Sequence, residues 1–228
     1  MASLTTTATV IEPEISRVGL PDYGTRLRRA RLGLLVALIP VMMLFVSFTS
    51  AYVVRQGLPS LDPRTNNLIR DWIPVALPRL LLLNTFVLLV SSVSMELARR
   101  QIRARAMMET NSTGTDVSIR DPIRTPWLAM TFVLGLAFLF GQLTAWKQLA
   151  ANGFYVSTTP SSSFIYLLTG AHAAHLLGGV VALLIASIAA LLRRSLKTRS
   201  IVVDVTAWYW HFMALLWIYI FGLMKFVS

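Results

Sequence analysis

Five apolar runs, near residues 32–54, 74–97, 127–149, 162–192 and 205–226, dominate this sequence. Each is long enough to cross about 30 Å of hydrocarbon as a helix. A chain in lipid must satisfy its backbone polar groups internally, so the runs predict an all-α, polytopic membrane bundle of five transmembrane helices within residues 26–228. The fourth run is overlong and is expected to tilt or to extend beyond the bilayer. Residues 1–25 are polar, contain Pro13 and Pro21 and lack the apolar core of a secretory signal, so they read as a flexible arm. ETNSTGTDVS at 109–118 reads as a loop tip.

Charge orients the bundle. Only 14% of residues are charged and the mean hydropathy is +0.64, whereas soluble domains carry about 25% charge. The net charge of +11 could suggest a nucleic-acid partner, but its distribution argues against one. Fifteen of the 21 lysines and arginines fall on one side of the expected membrane and six on the other. The positive-inside rule then predicts a cytoplasmic N-terminal arm and an external C-terminal end. The chain has no cysteine, which excludes a disulfide framework, a thiolate nucleophile and Cys-based metal sites. The sequence shows no internal repeat, which weighs against a transporter.

Polar residues inside the spans carry the remaining information. Asn84 and Ser91 share one face of the second span, and Glu96 closes it beside Arg99 and Arg100. A helix-end acid with basic neighbours is a snorkelling ion pair or a group for protons or partner docking. Thr131, Gly135 and Gln142 line the third span, with Trp146 near its outer edge, and Gln142 needs partners within the bundle. The fourth span starts at Pro160 and Ser161, a breaker and N-cap, and carries His172 and His175. The fifth opens with Asp204 and carries Trp208, Tyr209, Trp210 and His211. A metal or haem site is one reading of the three histidines. His172 and His211 are expected at different depths, however, and no nearby carboxylate completes a redox site. A transport path is a second reading, but it wants ionisable groups strung across the bilayer. The third, that neutral histidines hydrogen-bond across the bundle and fix its packing, is the expectation here.

PSSSFIYLLTGAHAAHLLGG and DVTAWYWHFMALLW resemble the last two helices of subunit III of haem–copper terminal oxidases. FTSAYVVR, LLLNTFVLLVSSVSMELA and GLAFLFGQLTAWKQL extend the resemblance to all five spans, and the span count is similar to the five-helix bacterial form. The resemblance implies a non-catalytic subunit of a cytochrome c oxidase in the bacterial plasma membrane. Such a subunit binds phospholipid and buttresses subunit I during aerobic respiration and proton translocation. Haem and copper are then expected in partner subunits I and II, with no cofactor, metal or catalytic residue in this chain. Cytochrome c or quinol would be met only through the complex. A quinol oxidase, a partner of nitric oxide reductase and, more distantly, a histidine-ligated haem protein stay open. By resemblance, His172, His175, Tyr209, Trp210, His211 and Trp217 stand at matching motif positions. Asp204 stands where the family often has an acid, and Arg193 and Arg194 resemble basic residues that meet lipid phosphate. Two acids common in the family are missing, with Val41 and Ala214 in their places.

Overall fold

The computed structural model describes residues 23–61, 67–69, 72, 78–111, 126–191 and 196–226. Five helices account for nearly all of them: α1 Tyr23–Gly57, α2 Leu80–Asn111, α3 Pro126–Ala151, α4 Pro160–Leu191 and α5 Leu196–Phe226. Each is long and apolar enough to cross a membrane. A two-residue antiparallel ladder, Ser60–Leu61 (β1) on Leu68–Ile69 (β2), closes a hairpin after α1. Three boundaries depart from the hydropathy pattern. Helix α2 starts at Leu80 rather than near 74, just after Pro78, whose ring disfavours helix in the residue before it. It then continues past 97 through ELARRQIRARAM, a stretch of strong helix formers that hydropathy alone misses. Helix α5 opens at Leu196, so Asp204 lies in its third turn and does not begin it.

Local chemistry sets the α3–α4 turn. Gly153 adopts φ +83°, and the Gly153 amide donates to Ala150 O at 3.0 Å while the Phe154 amide donates to Leu149 O at 3.0 Å. This is a Schellman stop, in which glycine takes the left-handed position. The N-cap of α4 is Thr159, not Ser161. Its Oγ1 accepts from the Ser162 amide at 3.2 Å, Ser162 Oγ accepts from the Thr159 amide at 3.1 Å, and Pro160 occupies the first helical position.

The helices α2, α3, α4 and α5 form a packed core around Phe138, Trp210 and Trp217. Helix α1 leans on α4 and α5 by a narrow seam: Leu38, Phe45 and Tyr52 are buried, each seven residues from the last. Residues seven apart lie on nearly one face of a helix, so α1 presents a narrow stripe to α4 and α5. Leu35, Val36, Ile39, Met42, Met43 and Val46 face outwards, which suits hydrocarbon.

Candidate functional site

The polar groups of the interior gather along α5, and its antiparallel partner α2 answers them rung by rung. Trp217 Nε1 donates to Thr85 Oγ1 at 2.9 Å, and Trp210 Nε1 donates to Ser91 Oγ at 3.1 Å. Next come Ser92 Oγ and His211 Nδ1 at 2.6 Å. The last rung is ionic: Arg99 reaches Asp204 at 3.4 Å. These contacts extend from Thr85 to Arg99 of α2, fourteen helical rises or about 21 Å at 1.5 Å per residue. Asn84 and Ser91 carry the ladder into α3, because Asn84 Nδ2 donates to Phe138 O at 3.0 Å and Ser91 Oγ to Thr131 O at 3.3 Å.

The basic end of the ladder is an ion cluster joining three helices. Asp204, buried, receives Nε and Nη2 of Arg31 at 2.8 and 2.9 Å. Glu96 receives Nε and Nη2 of Arg99 at 2.8 and 2.9 Å and Nε of Arg100 at 2.8 Å. His211 Nε2 lies 3.4 Å from the same carboxylate. An imidazole nitrogen facing a carboxylate must carry the proton, so in the neutral ring Nδ1 is the acceptor and Ser92 the donor. Arg31 also stands over the exposed Trp208, 5.8 Å from its centroid. Sequence reasoning missed Arg31, although it falls seven residues before Leu38 on the buried seam of α1, and that spacing was the signal.

The three histidines do three different things. His211 crosses to α2 as described. His175 Nδ1 pairs with Ala171 O of its own helix at 2.7 Å, while its ring meets Phe45 edge-on at 5.8 Å. Its carbonyl, not its ring, receives Tyr209 Oη from α5 at 2.7 Å. His172 departs from the expected hydrogen bonding. It is fully buried, neither ring nitrogen has a hydrogen-bond partner, and the ring packs on Trp217 and Phe138 at 5.0 and 5.9 Å. The ring is held as an aromatic plate. Gln142 departs in the same way, since its buried Oε1 has no partner. Trp146 ties α3 to α4 through Thr169 Oγ1 at 3.0 Å. Arg193 and Arg194 lie outside the described residues. Val41 packs at the edge of the core and Ala214 inside it.

A buried nitrogen without a partner costs about 1–3 kcal/mol. His172→Phe, which keeps the plate and removes that cost, is therefore expected to match or exceed the native chain in resistance to unfolding in detergent. A clear loss of stability would mean that the ring nitrogens bond to something in the folded protein.

Among the described residues, no cluster of three or more histidine and carboxylate side chains could hold a metal ion. The ladder between α2 and α5 bonds helix to helix and ends in an ion cluster, while the His172 ring and Gln142 Oε1 stay without partners. A family model for cytochrome c oxidase subunit III matches residues 24–228. A probable cytochrome c oxidase subunit 3 of Mycobacterium bovis is 29% identical over 101 residues, 44% of this chain and 50% of that protein. The cytochrome c oxidase subunit 3 of Corynebacterium diphtheriae is 29% identical over 45% of this chain and 50% of its own length. The match thus spans about half the length of these bacterial relatives. The Drosophila yakuba protein of the same name is 27% identical over 208 residues, 89% of this chain and 71% of its own length. With its five apolar spans and a match that reaches from the start of α1 to residue 228, the chain belongs to the cytochrome c oxidase subunit III family.

Proposed function

We propose that this chain works as the non-catalytic third subunit of a haem–copper oxidase, buttressing the haem-bearing subunit in a bacterial plasma membrane and binding phospholipid. The match across residues 24–228 carries the reading. The interior supports it. Most of its polar side chains bond between neighbouring helices, from Trp217 and Thr85 at one end through His211 and Ser92 to Arg31 and Asp204 at the other. The His172 ring is buried against Phe138 and Trp217. Arg26, Arg28 and Arg29 are exposed at the end where α1 begins, and Arg103 and Arg105 where α2 ends. That end is assigned to the cytoplasm, where the anionic leaflet attracts basic side chains.

Mild-detergent purification of the tagged chain from its native membrane, with mass spectrometry of its companions and a haem spectrum, tests this. Large haem- and copper-bearing subunits are expected to co-purify, and their identity fixes the electron donor. A chain that emerges alone with stoichiometric haem would overturn the proposal.

A further inference from the structure

The arginines of the basic end are not equivalent. Arg31 and Arg99 each grip a carboxylate with the same edge of the guanidinium, the fork made by Nε and Nη2, at 2.8 and 2.9 Å in both cases. Arg199, in the first turn of α5, is only 6% exposed, and its Nε and Nη2 have no hydrogen-bond partner. An intact, buried fork is thus empty where its two counterparts are filled. Removing an ion from water without a partner costs several kcal/mol, and a guanidinium recovers most from two parallel bonds to one oxyanion.

The surroundings sharpen the charge. Arg105 on α2 lies close enough to bear on Arg199 electrostatically. The register agrees, because Arg99 faces Asp204 and the antiparallel helices bring 105 and 199 to nearly one level. The first turn of α5 adds backbone N–H groups with no helical acceptor. Glu96 and Asp204 are the only acids whose side chains the structure describes, and both are engaged by Arg31, Arg99 and Arg100. Gln101 Oε1, also on α2, is likewise without a partner. One amide oxygen can meet one N–H, yet it brings no charge and leaves half the fork empty.

We infer that the Arg199 fork, with Arg105 beside it, receives a carboxylate from another polypeptide at the basic end between α2 and α5. The inference rests on the chain being one subunit of a complex. A carboxylate fits better than a lipid phosphodiester. It is substituted on one side only and can enter a nearly closed position end-on, whereas a phosphodiester carries chain on both sides. The two filled forks of this protein also hold carboxylates.

The test uses the intact complex carrying Arg199→Lys, treated with a water-soluble carbodiimide, which joins an amine to a carboxylate in direct contact. Mass spectrometry is expected to find an amide between position 199 and an acid of a companion subunit. Arg31→Lys in the same complex is the control, expected to link to Asp204. Arg199→Gln should weaken retention of that companion in detergent washes by at least about tenfold. A link from position 199 to an acid of its own chain overturns the inference, as does no link when the control succeeds. Loss of bound phospholipid phosphate from the Arg199→Gln complex, with companions retained, overturns it in favour of a lipid. A chain that purifies without companions defeats the subunit reading itself.

Discussion

Asp204→Leu lowers the resistance of the chain to unfolding in detergent by about 2–3 kcal/mol, and adding Arg31→Met restores most of the loss. An exposed ion pair contributes at most about 1 kcal/mol, whereas removing one partner of a buried pair costs about 3–5 kcal/mol. This pair lies between those limits. The Asp204 side chain is 5% accessible and that of Arg31 35%, so an orphaned Arg31 can turn partly to water. Arg99 keeps Glu96 and is less affected. Placing leucine opposite an unpaired guanidinium removes the anion and leaves the cation. Replacing both partners leaves two apolar side chains on the seam between α1 and α5, with the methionine able to lie on Trp208. Equilibrium unfolding followed by tryptophan fluorescence and helical dichroism measures both variants. A single variant within about 0.5 kcal/mol of native would mean that the pair acts as a surface pair. A double variant no better than the single would place the role of Asp204 in its 3.4 Å contact with Arg99.

That cluster marks where the sequence stops being legible. Span number and approximate position follow from hydropathy, because lipid punishes an unpaired backbone and the runs are long. The ends of α2 and α5 do not follow, since basic helix formers such as Arg99, Arg103 and Arg105 extend a helix without adding to its apolar count. Glu96 and its two arginines could be paired from spacing alone, at i+3 and i+4. Arg31 and Asp204 could not, because they are 173 residues apart and meet only through the packing of α1 on α5. His172 shows a different limit. The sequence says that an imidazole lies in an apolar span and physical chemistry asks for a partner. The fold answers with rings from α3 and α5. Trp210 and Trp217 stand out in the sequence only as matching motif positions; their burial, and the glycines that make room for Trp210, are legible only once α3 and α4 are seen beside α5.

Those glycines give the second large effect. Trp210 is fully buried, with its benzene ring between Gly135 of α3 and Gly179 of α4. A Cβ at Gly135 would meet Trp210 Cη2 at 2.7 Å and Cζ2 at 3.1 Å, and one at Gly179 would meet Tyr209 Cε1 at 2.9 Å and two ring atoms of Trp210 at 3.3 Å. The indole has no direction in which to yield. Moving from α3 drives it towards α4, and turning it breaks the 3.1 Å bond from Nε1 to Ser91, the rung that joins α5 to α2. Overpacking costs about 1–3 kcal/mol and a lost internal hydrogen bond about 1 kcal/mol more, so Gly135→Ala is expected to destabilise by about 2–4 kcal/mol. Gly222→Ala is the control, because nothing lies within 4 Å of its Cβ position and alanine favours helix. It should leave stability equal or slightly raised. Combining Gly135→Ala with Trp210→Phe separates the causes. Phenylalanine vacates the outer edge of the ring, so the double variant should fall well short of the summed single losses. Additive losses would mean that glycine at 135 is needed for the backbone of α3 and not for the Trp210 slot. In that case the close approach of α3, α4 and α5 would have to be set elsewhere, with the Asn84 amide against Gly141 the next contact to probe.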